Sequence, residues 1–310
     1  MTPVHAVVVR DEFRAMGCGV EVELVGGDER LLTAVRAEVE RLEACWSRFR
    51  PTSDVCRLNA AQGAPIVVDP ATIDLLEAMV HGFIATDGAF DPTLLAPLVG
   101  LGYAASRHDP SATSSVPAGA AWRGCIDGAA VDRVTSVAQL PPGTVIDAGG
   151  IGKGFAADRV AAAVVAMGAH GAMVSIGGDL RVCGRGPADG GWLIDVADDH
   201  LDSVVLQLAL DDGGVATSGT LQRAWVTADG TAAHHLLDPA TGRPVTQPVV
   251  QATVVAGSAA WAEVFTKSLM VGGPEALDLL DERSLPGRVV LADGRSLTNA
   301  AWLDVQVAVG

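Results

Sequence analysis

Helical and strand periodicities occupy different parts of this chain, and that segregation limits its fold more than any other feature. Residues 28–50, DERLLTAVRAEVERLEACWSRFR, place Leu31, Leu32, Val35, Val39, Leu42 and Trp46 on one helical face. Asp28 stands where that helix needs a cap. A second helix is predicted over DPATIDLLEAMVHGFIATDG, with Asp69 as cap, Pro70 at the first helical position and a glycine stop. From 192 to 256 short strand patterns dominate, with Asp-Gly turns at 212–213 and 229–230. Helices return behind a Ser258 cap and over 274–282, before a hairpin at Asp293-Gly294. A strand-rich middle between early and late helices predicts an α+β fold rather than a doubly wound sheet. Near the start, EFRAMGCGVEVELVG reads as one strand, and the polar stretch 104–120 reads as a loop expected to be mobile.

Composition narrows the function classes. A net charge of −16 argues against a broad nucleic-acid surface. It does not exclude a small anionic ligand, for which one cationic pocket suffices. No apolar run is long enough to span a bilayer. The opening MTPVHAVVVRDEF lacks a basic start, an export-type apolar segment and a cleavage site, so the expectation is a cytoplasmic protein. Five scattered cysteines without a C-x-x-C pair suggest reduced thiols and no zinc site. Among 21 basic residues, only Lys153 and Lys267 are lysine. A lysine is a compact point charge that arginine cannot replace in a tight pocket, which draws attention to both.

Lys153 lies in IDAGGIGKGFAAD (146–158), ahead of an alanine-rich helix ending at Gly168. The stretch is not a Walker loop, because Asp147 stands where the first glycine belongs and Gly154 follows the lysine. Nor is it a dinucleotide fingerprint, because Phe155 replaces the last glycine. Five other stretches stand out, several by breaking local helix and strand rules, as functional sites often do. GAFDPTLLAPL sets Asp91 before a proline, which also suits a plain helix cap. SIGGDL sets Asp179 after a glycine pair, which also suits a tight turn. VATSGTLQRAW offers Thr217 and Ser218 at a strand end, where a simple turn is the blander alternative. AAHHLLDPATGRPV holds adjacent histidines, which on a strand face opposite ways. In AEVFTKSL, Glu263 and Lys267 are one helical turn apart among apolar neighbours, so their pairing is either a surface bridge or a costly buried one.

Taken in order, AMGC (15–18), SRFRPTSDVCRLN (47–59), GAFDP (88–92), IDAGGIGKGFAADRV (146–160), IGGDL (176–180), ATSG (216–219), HHLLDPATGRP (234–244) and SAAWAEVFTKSLMVGG (258–273) resemble the ApbE family, the FAD:protein FMN transferases. The resemblance implies one domain over residues 1–310, an ApbE-like, T-fold-related α+β unit with two packed lobes and FAD in the cleft between them. It implies transfer of FMN from FAD to a threonine or serine hydroxyl of an acceptor protein, with release of AMP and help from Mg²⁺. By motif, Met16, Phe49, Ala89, Phe90, Asp91, Gly149, Phe155 and Leu237 would line the flavin nucleotide site, with Lys153 beside it and Asp179 counted in the same set. His235 is the candidate base for the acceptor hydroxyl, oriented by Asp238.

The metal motif departs from the family pattern. Aspartate and threonine usually stand where this chain has Glu263 and Lys267. An ammonium has only donors and cannot ligate a cation. Three readings follow. Lys267 takes over the metal's charge as a catalytic group; or the cation persists on the Gly152 carbonyl, Glu263, Thr266 or ligand phosphates, with Lys267 turned away; or the protein only binds FAD or hydrolyses it to FMN and AMP.

Overall fold

The computed structural model describes residues 7–187, 191–198 and 203–307. Its centre is an eight-stranded sheet whose strands pair in the order of the chain: β1 Val8–Ala15, β2 Cys18–Val25, β3 Gly171–Ile176, β4 Asp179–Gly184, β5 Gly213–Gly219, β6 Val249–Ala256, β7 Gly287–Leu291 and β8 Ser296–Thr298. Every neighbouring pair is antiparallel. The α+β expectation holds. The segment read as one opening strand is instead the hairpin β1–β2. Met16 (φ +51°) and Gly17 (φ +70°) form its two-residue turn, the left-handed geometry that matches hairpin twist.

The helices sit in the insertions of this meander. Between β2 and β3 lie α1 Glu29–Trp46, α2 Asp54–Ala61, α3 Pro70–Ala85, α4 Leu95–Gly100 and α5 Gly152–Ala166; α6 Ala259–Gly272 and α7 Leu277–Asp281 lie between β6 and β7. Asp28, Asp69 and Ser258 cap α1, α3 and α6 with their side chains, and Pro70 opens α3. The apolar stripe of α1 buries Leu32, Val35, Val39, Leu42 and Trp46. These meet Val20, Val22 and Leu24 of β2 and the inner face of α5 in one core, each large side chain contributing about 1.5–3 kcal/mol. The other sheet face is covered by a three-stranded sheet of Trp192–Asp198, Ser203–Leu210 and Gln306–Val307. There Trp192, Ile194, Leu206 and Leu208 bury against Leu180, Val182, Val215 and Val255. Among the described residues no helix is long and apolar enough to cross a membrane.

Candidate active site

Alternate turns of an antiparallel meander fall at the same end of its sheet. The β1–β2 turn, the Gly177-Gly178 turn between β3 and β4, and the Ser218-Gly219 end of β5 therefore share one rim. Against that rim, α5 begins and α6 passes. A cleft of about 850 Å³ opens there, with the segment following α1 as its opposite wall.

The start of α5 is fixed from both sides. Asn59 exchanges two hydrogen bonds with the backbone of Ile146, at 2.8 and 2.9 Å, and so holds the segment that leads into the glycine cluster. Asp158, on α5, accepts the backbone N–H groups of Ala259 (2.8 Å) and Ala260 (2.9 Å) at the start of α6. A side chain at Gly154 would put a Cβ 2.5 Å from the Ala259 carbonyl oxygen, so only glycine permits this approach. At Gly150 a Cβ would press on Phe90 and on the Lys267 stem. The cluster is thus built for close packing of two helices around a lysine.

The two lysines meet one carboxylate. Lys153 Nζ donates to Glu263 Oε1 at 3.0 Å and to Asp179, and Lys267 Nζ lies 3.8 Å from the same Glu263 oxygen. Glu263 Oε2 accepts the Gly154 N–H at 2.9 Å. Lys267 also donates to Ser218 Oγ at 3.2 Å, and that hydroxyl shares a 2.7 Å hydrogen bond with Thr266. Burial alone would raise the Glu263 pKa, but Lys153, Lys267 and the Gly154 N–H together hold it below the usual glutamate range. Burial pushes Lys267 down to about 8; Glu263 opposes the drop, and Lys153 and Arg223 add to it. His235 lines the cleft with its Nδ1 buried and without a partner. Burial, then the charges of Arg223 and Lys267, push it well below the usual histidine range, so it is neutral.

These buried charges already balance one another and do not suit a divalent cation held by protein side chains alone. Asp179, Glu263, Lys153 and Lys267 sum to zero, and both Glu263 oxygens are committed. A divalent ion 4 Å from an ammonium is repelled by about 8 kcal/mol at an effective dielectric near 20. Among the described residues no three His, Cys, Asp or Glu side chains gather as a metal site.

The sequence model of the ApbE family matches residues 16–289. This chain belongs to the ApbE family. It is 28% identical to an FAD:protein FMN transferase of Klebsiella pneumoniae, over 98% of this chain and 89% of that protein. To the Escherichia coli K12 FAD:protein FMN transferase it is 26% identical, over 95% of this chain and 87% of that one. Among solved structures, the Thermotoga maritima ApbE protein superposes with a TM-score of 0.84 at 25% identity, covering 97% of this chain and all of that one. The Pseudomonas stutzeri flavinyl transferase ApbE, in its apo form, gives 0.81 at 26% identity, covering 98% of each.

Most of the ApbE site residues expected from the sequence come together. Met16, Phe49, Ala89, Phe90, Asp91, Gly149, Gly152, Lys153, His235, Leu237, Glu263 and Lys267 all line the cleft. Asp91 does so with its carboxylate engaged: it accepts from Thr93 and from Arg123 Nε at 2.7 Å. Four expectations are corrected. Phe155 points away from the cleft, stacks near Trp46 (ring centroids 5.8 Å apart) and lines a smaller cleft on the far side. Asp179 is buried behind Lys153 as its counter-ion and does not line the cleft. Thr266 is fully buried, its hydroxyl donating to the Glu263 carbonyl, and is not available to a cation. Asp238 does not orient His235; it accepts from Ala240 N at 2.8 Å and Thr241 Oγ1 at 3.2 Å inside its own turn.

The adjacent histidines divide as their spacing predicted. His234 turns to the Val245 carbonyl at 3.2 Å and His235 to the cleft. Missed altogether were the arginines of the cleft, including Arg14, Arg48, Arg107 and Arg223. Arg48 lies flat between the Phe49 and Tyr103 rings and donates to Ser114 Oγ (2.9 Å) and the Tyr103 carbonyl (3.0 Å). His108 reaches the Gly17 carbonyl at 2.7 Å. The 104–120 loop thus contacts Arg48 through Ser114 and the β1–β2 turn through His108.

Proposed function

We propose that this protein transfers FMN from FAD to a threonine or serine hydroxyl of an acceptor protein and releases AMP. The observation that carries the reading is the cationic inner end of the cleft, where Lys267, Lys153 and Arg223 surround an unpartnered neutral His235 in a chain of net charge −16. A pyrophosphate suits that end. The apolar side chains of Met16, Phe49, Phe90 and Leu237 suit the flavin and its ribityl chain.

In this reading the acceptor hydroxyl gives its proton to His235 as its oxygen bonds to the FMN phosphorus. The bond from that phosphorus to the bridging oxygen breaks, and AMP leaves with the electron pair. Fixed positive charge at the bridge offsets the charge that develops there. The divalent cation expected from the resemblance has no assigned place. One domain over 1–310 carries both walls of the cleft. A reducing, cytoplasmic setting suits five unpaired thiols. Incubation with FAD and an acceptor protein of one of the relatives tests the reading: flavin fluorescence on the denatured acceptor, with one AMP per flavin, is expected. Formation of FMN and AMP without labelled acceptor would replace it with FAD hydrolysis.

A further inference from the structure

Resting on that reading, we propose that the Lys267 ammonium is a built-in replacement for the divalent cation at the FAD pyrophosphate, so that FAD binding and cleavage need no metal. Three observations converge on it. Lys267 lines the cleft, and its ammonium is held by Ser218 at 3.2 Å, Thr266 at 3.4 Å and Glu263 at 3.8 Å. Ser218 and Glu263 line the cleft with it, and the Lys267 side chain keeps 15% of its surface exposed there. The stem passes Gly150, where a Cβ would be in ordinary contact with Lys267 Cε at 3.6 Å. The carboxylate that would draw a cation is already neutralised: Glu263 is shared by both lysines, and Asp179 is spent on Lys153.

The chemistry is balanced without a metal. The acceptor oxygen–phosphorus bond forms, the bridging phosphorus–oxygen bond breaks, the hydroxyl proton passes to His235, and the electron pair leaves on AMP. Lys267 offsets the charge on the bridge and the departing phosphate, a task an ammonium performs without being consumed.

The test is FAD affinity, read by flavin fluorescence, for chelator-stripped wild-type protein with EDTA and with MgCl₂. Equal affinity in both is expected. Lys267→Met should weaken it in EDTA by about tenfold or more, the loss of one charge-assisted hydrogen bond. Circular dichroism of each variant separates this loss from unfolding. Titration of FAD-free wild type with Mn²⁺, followed by electron paramagnetic resonance, should show no one-to-one site that depends on Glu263. Wild-type affinity that collapses in EDTA and returns with Mg²⁺ overturns the proposal while leaving the transferase reading standing. So does full affinity of Lys267→Met in EDTA, or a saturable Mn²⁺ site lost in Glu263→Gln. Absence of FAD binding under both conditions overturns the proposal together with the reading on which it rests.

Discussion

Lys267 Nζ stands 3.8 Å from Glu263 Oε1, one turn along the same buried helix, and Lys153 takes the same oxygen from another helix at 3.0 Å. One carboxylate thus contacts two ammoniums inside the protein, with Asp179 as the second counter-charge. Removing a partner from such a set leaves charge uncompensated, which costs about 3–5 kcal/mol. Glu263→Gln is expected to lower the unfolding free energy by about that amount in urea titrations. The double variant Glu263→Gln/Lys267→Met should recover part of it, because the stranded charge is gone too.

The bridge from Asp158 to the start of α6 is a helix cap supplied from a different helix. Loss of a cap costs about 0.5–2 kcal/mol. Asp158→Ala should show at least that loss in thermal or urea unfolding. It should also weaken FAD, because α5 and α6 carry the two lysines.

His235 is neutral in the folded protein, held well below the usual histidine range by burial and by Arg223 and Lys267. As pH falls through the ordinary histidine pKa near 6.5, the unfolded chain takes up a proton that the folded chain refuses. Stability is therefore lost as pH drops below about 6.5 and is not affected by this group above it. His235→Gln should flatten that part of the stability profile. Transfer by the wild type should stay level across pH 6.5, and His235→Ala should cut the rate roughly 100-fold or more with FAD affinity kept.

Asp238 serves its own turn, not His235. Asp238→Ala should cost about 1 kcal/mol of stability, the loss of local side-chain hydrogen bonds. The pH profile of transfer should not move; a shifted profile would restore the orienting role.

Helix ends were legible because Asp28, Asp69-Pro70 and Ser258 carry their capping chemistry in the local sequence. The β1–β2 turn was not, because Met16 is a poor advertisement for a left-handed residue. Phe155 was misplaced by proximity to Lys153: two residues along a helix turn a side chain through about 200°, to the opposite face. A single step of about 100° separates Thr266 from Lys267, and only the latter faces the cleft. Asp238 was read as a partner of His235 from closeness in sequence, although Asp-Pro-Ala-Thr-Gly is turn chemistry in its own right. The cleft arginines had no signal, since arginine is the ordinary cation of this chain.

The clasp of Arg48 between Phe49 and Tyr103, with its bond to Ser114, has a consequence for ligand capture. A segment already tethered when the chain folds has little freedom left to surrender when a guest arrives. The affinity that a free loop would have spent on its own ordering stays with the guest.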